Sequence, residues 1–179
     1  MKTDLREEIE LPEQTTVQLG KEIKIVGPKG EVQKKLVFPN INVSLEDNKI
    51  VLEAKNGTKR EKKILNAFQS HLKNMVRGVN EKHVYRLKIC SGHFPMNVSL
   101  SGKQLIVKNF LGESVPRKLE IRPDVEVKIE GDQIIVSSNS KESAGQVAGG
   151  IEQLTRIRNK DVRIFQDGCY MIHKSGKDI

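Results

Sequence analysis

The chain has 179 residues, with 31 Lys+Arg against 23 Asp+Glu, a net charge of +8, 4% aromatic residues and no Trp. That balance favours polyanionic partners, nucleic acid before an anionic membrane surface. No apolar run approaches the roughly 20 residues of a membrane span, the start Met1–Glu8 lacks a signal-peptide core, and the two cysteines supply no disulfide framework. The expectation is a soluble cytoplasmic protein with no membrane partner.

Residues 1–13 are acidic, with Asp4, Glu7, Glu8, Glu10 and Glu13 against Lys2 and Arg6. Alternating apolar and polar residues then predict strands at 15–19, 22–26, 31–37, 41–45 and 49–54. Turns fall at Gly20, Gly27-Pro-Lys-Gly30, Pro39-Asn40 and Asp47-Asn48. Thr58-Lys-Arg-Glu61 is a capping box, and Ile64, Leu65, Phe68, Leu72, Met75 and Val76 follow at helical spacing up to a stop at Gly78. Phe68 and Leu72 are expected to be buried. Residues 55–88 are strongly basic, opposed only by Glu61 and Glu81.

Further strands are predicted at 84–89, 97–100, 104–109, 115–121, 125–130 and 133–137. A second helix runs from about Lys141 to Ile157, with Val147, Ile151, Leu154 and Ile157 on one face. Gly145, Gly149 and Gly150 interrupt it, each costing about 1 kcal/mol against alanine. Close packing on its own sheet is the preferred reason, close approach of an RNA backbone the other.

Val43-Ser-Leu-Glu-Asp-Asn-Lys-Ile-Val-Leu52 returns as Val127-Lys-Ile-Glu-Gly-Asp-Gln-Ile-Ile-Val136, each a pair of strands around a polar turn and each followed by a helix. The chain is therefore an α+β protein, a tandem duplication of a small module. Each copy, 1–82 and 83–179, sets an antiparallel sheet-rich layer against one α-helix.

Gly27-Pro-Lys-Gly30 matches the loop of a KH domain, but it lies between strands rather than helices. No P-loop ending, Gly-x-Ser-x-Gly elbow or His-Glu-x-x-His motif is present, so neither an enzyme nor a small-molecule substrate is indicated. Cys90-x-x-His93 with Cys169-x-x-x-His173 offers four candidate zinc ligands, although the apolar surroundings of both cysteines suit small buried hydrophobes better. No cofactor is called for. So few aromatics argue against a stacking platform for bases and leave phosphate and 2′-hydroxyl contacts to a structured RNA.

The candidate RNA-binding residues lie at the end of the chain. Arg156, Arg158, Lys160 and Arg163 leave the second helix on an extended segment that turns at Gln166-Asp167-Gly168. Tyr170 then returns toward the core, with Phe165 as a second aromatic anchor, and His173 and Lys174 follow. Cations at such spacing can follow a phosphate backbone.

This block, Gln153 through Lys174, resembles the C-terminal signature of the large-subunit ribosomal protein L-six family in its archaeal and eukaryotic form. His93-Phe-Pro-Met-Asn-Val98, Lys108-Asn-Phe-Leu-Gly-Glu113, Arg122-Pro123, Val26-Gly-Pro-Lys-Gly30 and His71-Leu-Lys-Asn-Met-Val-Arg-Gly-Val79 read like that family too. Cys169 stands where an aliphatic residue is expected. The resemblance implies a structural constituent of the large ribosomal subunit that binds large-subunit rRNA mainly through its C-terminal half. It also implies neighbouring ribosomal proteins as partners and translation factors nearby. The alternative from the residues alone is a non-ribosomal structured-RNA-binding or RNA-chaperone module, with a membrane-surface or protein scaffold behind it.

Overall fold

The computed structural model describes residues 3–179; Met1, and Lys2 of the acidic segment, lie outside them. The chain divides into two compact units, Met1–Lys82 and His83–Ile179.

In the first unit the strands are β1 (Thr3–Glu10), β2 (Thr16–Gln18), β3 (Ile23–Gly27), β4 (Gly30–Lys34), β5 (Asn42–Glu46) and β6 (Lys49–Gly57). They form two antiparallel sheets, β1-β6-β5 and β2-β3-β4, and helix α1 (Lys59–Asn80) packs against both. Ile25, Ile50, Leu52, Leu72 and Val79 at the centre are wholly buried. Asp47 and Asn48 both take positive φ, the conformation that lets a two-residue hairpin match the twist of its strands. Gly27 must lack a side chain, because a Cβ there would sit 2.8 Å from Val79 at the end of α1.

The acidic start is a strand that alternation does not reveal. In Thr-Asp-Leu-Arg-Glu-Glu-Ile-Glu only Leu5 and Ile9 are apolar, and Glu7 occupies the inward position between them. The capping box of α1 forms, Thr58 N–H donating to Glu61 Oε2 at 2.9 Å. The helix runs two residues past the expected stop, because Gly78 is buried within its last turn and Glu81 N–H closes it on Arg77 O at 2.7 Å. Leu72 is buried as expected, whereas Phe68 is only half-buried.

The second unit repeats the frame with β7 (His83–Cys90), β8 (Asn97–Ser101), β9 (Gln104–Lys108), β10 (Arg117–Glu120), β11 (Glu126–Glu130), β12 (Gln133–Ser138), α2 (Lys141–Leu154) and β13 (Gly168–Lys174). β10-β9-β8 corresponds to β2-β3-β4, and β11-β12-β7-β13 to β1-β6-β5 with a strand added. Both sheets are antiparallel, and their core centres on Leu87, Leu105, Ile134, Val136 and Ile151. The helix ends at Leu154 rather than Ile157, and Leu154 and Ile157 only flank the core. Its glycines answer to packing at two positions: a Cβ on Gly145 would meet Tyr85 Oη at 3.2 Å, and one on Gly150 would meet Leu119 at 3.3 Å. A Cβ on Gly149 would meet nothing within 4 Å.

Candidate nucleic-acid interface

The basic segment starts where α2 stops, and the stop is built. The Arg117 guanidinium donates to Leu154 O at 2.6 Å and Arg156 O at 3.4 Å, satisfying carbonyls left open at a helix C-terminus. Glu113 holds that guanidinium from the other side at 2.5 Å, and the Phe110 ring lies 4.3 Å beneath it. Thr155, buried, accepts from Cys169 N–H at 2.9 Å and so ties β13 to the helix end. Arg117 escapes sequence reading. Its one local sign is the i,i+4 spacing from Glu113, which suggests nothing more than a helix-surface pair.

From here the chain does not run extended as expected. Asn159 takes φ +57°, and the N–H groups of Ile164 and Phe165 both close on Asp161 O, making a compact turn. Arg156, Arg158, Lys160 and Arg163 are all exposed on this excursion. Arg163 lies against Asp161, Nη2 to Oδ2 at 2.7 Å, but at 86% side-chain exposure the pair is worth little and leaves the cation facing solvent. Lys160 Nζ sits 4.7 Å from the Phe165 ring centre, and that ring stacks on His93 at 4.6 Å. The fold assembles this stack from residues 72 positions apart, which composition does not reveal.

Asp167 faces inward. It is 2% exposed, and its carboxylate accepts from the N–H groups of Gly92 and His93 and from His93 Nδ1 at 2.9 Å. Burial acts to raise its pKa, but these hydrogen bonds outweigh burial and hold the carboxyl below the ordinary carboxylate value. Asp167 therefore fastens the 91–93 loop to the turn. Gly168 is also buried, and a Cβ there would lie 3.3 Å from Thr155 O. Both shape the segment rather than face a ligand.

The strand that follows reverses one expectation. Cys169, 1% exposed, is the residue that enters the core, and Tyr170 points out at 42% exposure. Burial lifts the Cys169 thiol to about 11, so it stays a neutral small hydrophobe. His173 has both ring nitrogens engaged, Nδ1 with Asp178 at 2.6 Å and Nε2 accepting from Gly176 N–H at 3.1 Å. Gln166 and Lys174 are exposed. The four candidate zinc ligands do not converge: His93 turns to Asp167 and His173 to Asp178. Among the described residues no three His, Cys, Asp or Glu side chains gather as a metal ion requires.

The face of the large sheet opposite α2 adds cations that the site reading omitted. Lys88 pairs with Tyr170 and Gln133, and Arg86 with His173 and Ile135, which in turn opposes Lys128. Partners directly opposite share a face, so Arg86, Lys88 and Lys128 stand on one surface with Tyr170, and Glu126 and Glu130 of β11 stand there too, Glu126 holding Lys128 at 3.3 Å. The corresponding surface of the first unit carries Arg6, Glu8 and Glu10 on β1, with Glu46, Lys49 and Glu53 on its partners. Aligning the two hairpins places Glu8 where Arg86 stands and Glu10 where Lys88 stands. Alternation along 84–89 marks Arg86 and Lys88 as outward, but the contrast with Glu8 and Glu10 stays hidden until β1 is known to be a strand.

Comparison with known proteins identifies the family. The family model described as Ribosomal protein L6 matches twice, over residues 11–82 and 94–168. The large ribosomal subunit protein uL6 of Nanoarchaeum equitans is 47% identical, covering 98% of this chain and 96% of its own. The proteins of the same name from Methanococcus vannielii and Natronomonas pharaonis are each 40% identical, covering 97% and 93% of this chain and 96% and 95% of their own. The chain belongs to the ribosomal protein L6 family.

Proposed function

We propose that the chain is a structural, non-catalytic constituent of the large ribosomal subunit that binds large-subunit rRNA mainly through its second unit. The first part follows from the family, whose members are named for that subunit. The second rests on one observation above all. The exposed cations of the 156–163 excursion lie in the same unit as a sheet face on which Arg86, Lys88 and Lys128 outnumber Glu126 and Glu130, while on the matching face of the first unit acids outnumber cations. Clustered cations on one surface are the electrostatic footprint of phosphate binding. Arg156, Arg158, Lys160, Arg163, Gln166, Tyr170 and Lys174 form the contact set, and Asp167, Gly168 and His173 hold its shape. The place of binding, near the translation-factor site and beside neighbouring ribosomal proteins in the cytoplasmic ribosome, is what the family resemblance adds.

The test replaces Arg156, Arg158, Lys160, Arg163 and Lys174 together by Ala in the full chain. These side chains are exposed, so melting should change little, each replacement staying within about 0.5 kcal/mol. Sedimentation with large subunits should be lost. In filter binding to rRNA the slope of log K against log salt should become shallower by about 1 per cation removed. An unfolded variant would make these cations structural; a folded one that still assembles would place the contact elsewhere, along the basic stretch 55–88.

A further inference from the structure

The excursion does more than display charge. Between the 91–93 loop and the 164–167 turn lies a cleft of about 660 Å³, within the range of roughly 300–1,000 Å³ common for ligand sites. Tyr170, 42% exposed, and Ile164, 64% exposed, give it bare apolar walls, and Ser91 and Gln166 add an exposed hydroxyl and amide. Asp167 is the one acid among its lining residues, and three hydrogen-bond donors already satisfy that carboxylate. Cations stand on two sides: Lys88 opposes Tyr170 across the strands, and Lys160 covers the ring stacked on His93. An aromatic wall, an amide able both to donate and to accept, and flanking ammonium groups match a flat heterocycle on an anionic backbone.

We propose that this cleft seats one unpaired nucleobase of the bound RNA, stacked against Tyr170 and met at its edge by Gln166, with Lys88 and Lys160 taking the adjoining phosphates. The proposal rests on the RNA-binding reading above and deepens it: here the protein engages a base, while the rest of its surface engages backbone. An extruded base costs least where the RNA is already unpaired, so the site selects a loop or bulge rather than a duplex.

The two kinds of contact separate by their salt dependence, since stacking neutralises no phosphate. Full-length protein is titrated with an archaeal large-subunit rRNA transcript over a range of salt. Tyr170→Ala should weaken binding roughly 5- to 150-fold at every salt concentration with the slope unchanged. Tyr170→Phe should bind like the parent, and Arg158→Ala, as control, should make the slope shallower by about 1. Gln166→Ala, a surface change that cannot disturb the core, should show a smaller loss, again at constant slope. The proposal is overturned if Tyr170→Ala and Gln166→Ala both bind like the parent, if Tyr170→Ala alters the slope, or if Tyr170→Phe falls as far as Tyr170→Ala. Absence of saturable binding by the parent itself would instead defeat the RNA reading, and this site with it.

Discussion

In the first unit the outward positions of the strand beside the hairpin are Arg6, Glu8 and Glu10; in the second, the positions that match them are Val84, Arg86 and Lys88. The inward positions are kept, apart from Glu7, which answers to the buried Tyr85. Ile9 answers to Leu87, Ile50 to Ile134 and Leu52 to Val136, and all are buried. A duplicated module keeps the side that excludes water, because its stability depends on that side, and is free to change the other. The edges differ as well. Within its sheet β1 has only β6 beside it, and a row of glutamates guards that edge against pairing with another chain. In the second unit β13 covers the corresponding edge of β7 and brings Tyr170 next to Lys88. On these strands the first copy's face sets Glu8, Glu10, Glu46 and Glu53 against Arg6 and Lys49, and the second's sets Arg86, Lys88 and Lys128 against Glu126 and Glu130, so the sign of the excess charge reverses.

The sharpest way to break the comparison is to remove what the copies share. Leu72→Ala and Ile151→Ala each empty a wholly buried site under the helix of their own unit. Each should cost about 2–5 kcal/mol. Hydrogen exchange should report the loss in the amides of that unit first. Phe68→Ala should cost less than Leu72→Ala, because the Phe68 ring is only half-buried. Equal costs at 68 and 72 would mean that the register of α1 on its sheets is wrong.

What could be read from the sequence follows the same division. The hairpins, the capping box at Thr58–Glu61 and the buried face of α1 were legible, because each is written in local spacing. β1 was not, since Arg6, Glu7 and Glu8 bury the period-two signal of Leu5 and Ile9 under charge, and the strand depends on its pairing with β6. β13 was hidden too, as its register is set from outside by Thr155 and β7. In the site, the exposed cations were visible, but the inward turn of Asp167 depends on N–H groups 74 and 75 residues away. Composition says how many aromatics a chain has and nothing of whether the rings of His93 and Phe165 will meet.

A second intervention makes the copies alike on the surface. Arg86→Glu with Lys88→Glu writes the first unit's pattern onto the second. Both side chains are exposed, so the fold should hold. Affinity for large-subunit rRNA should fall, with a salt slope shallower by about 2, one for each phosphate contact removed. The reciprocal change, Glu8→Arg with Glu10→Lys, should raise non-specific RNA binding at low salt without restoring assembly to that variant, because the first unit lacks the 156–163 excursion. Should Arg86→Glu with Lys88→Glu leave both affinity and slope untouched, the inverted charges are unrelated to RNA and the excursion acts alone.

The smallest effect lies in the helices, where α1 carries glycine only at Gly78 and α2 carries three. Open space surrounds the position of a Cβ on Gly149, so Gly149→Ala should gain most of the propensity difference, about 1 kcal/mol. For a unit of this size that corresponds to a melting temperature higher by about 4–8 °C. Gly145→Ala gains the same propensity but sets its methyl 3.2 Å from the hydroxyl of Tyr85, a residue only 3% exposed with little room to yield. Crowding there should cancel the gain or reverse it. Calorimetry on the two variants therefore separates the reasons a helix keeps bare backbone. If Gly149→Ala is stabilised yet binds rRNA more weakly, the glycine at 149 serves the approach of the RNA backbone. If it is stabilised and binds as before, packing at Gly145 and Gly150 is the whole reason, and Gly149 is a neutral passenger beside them.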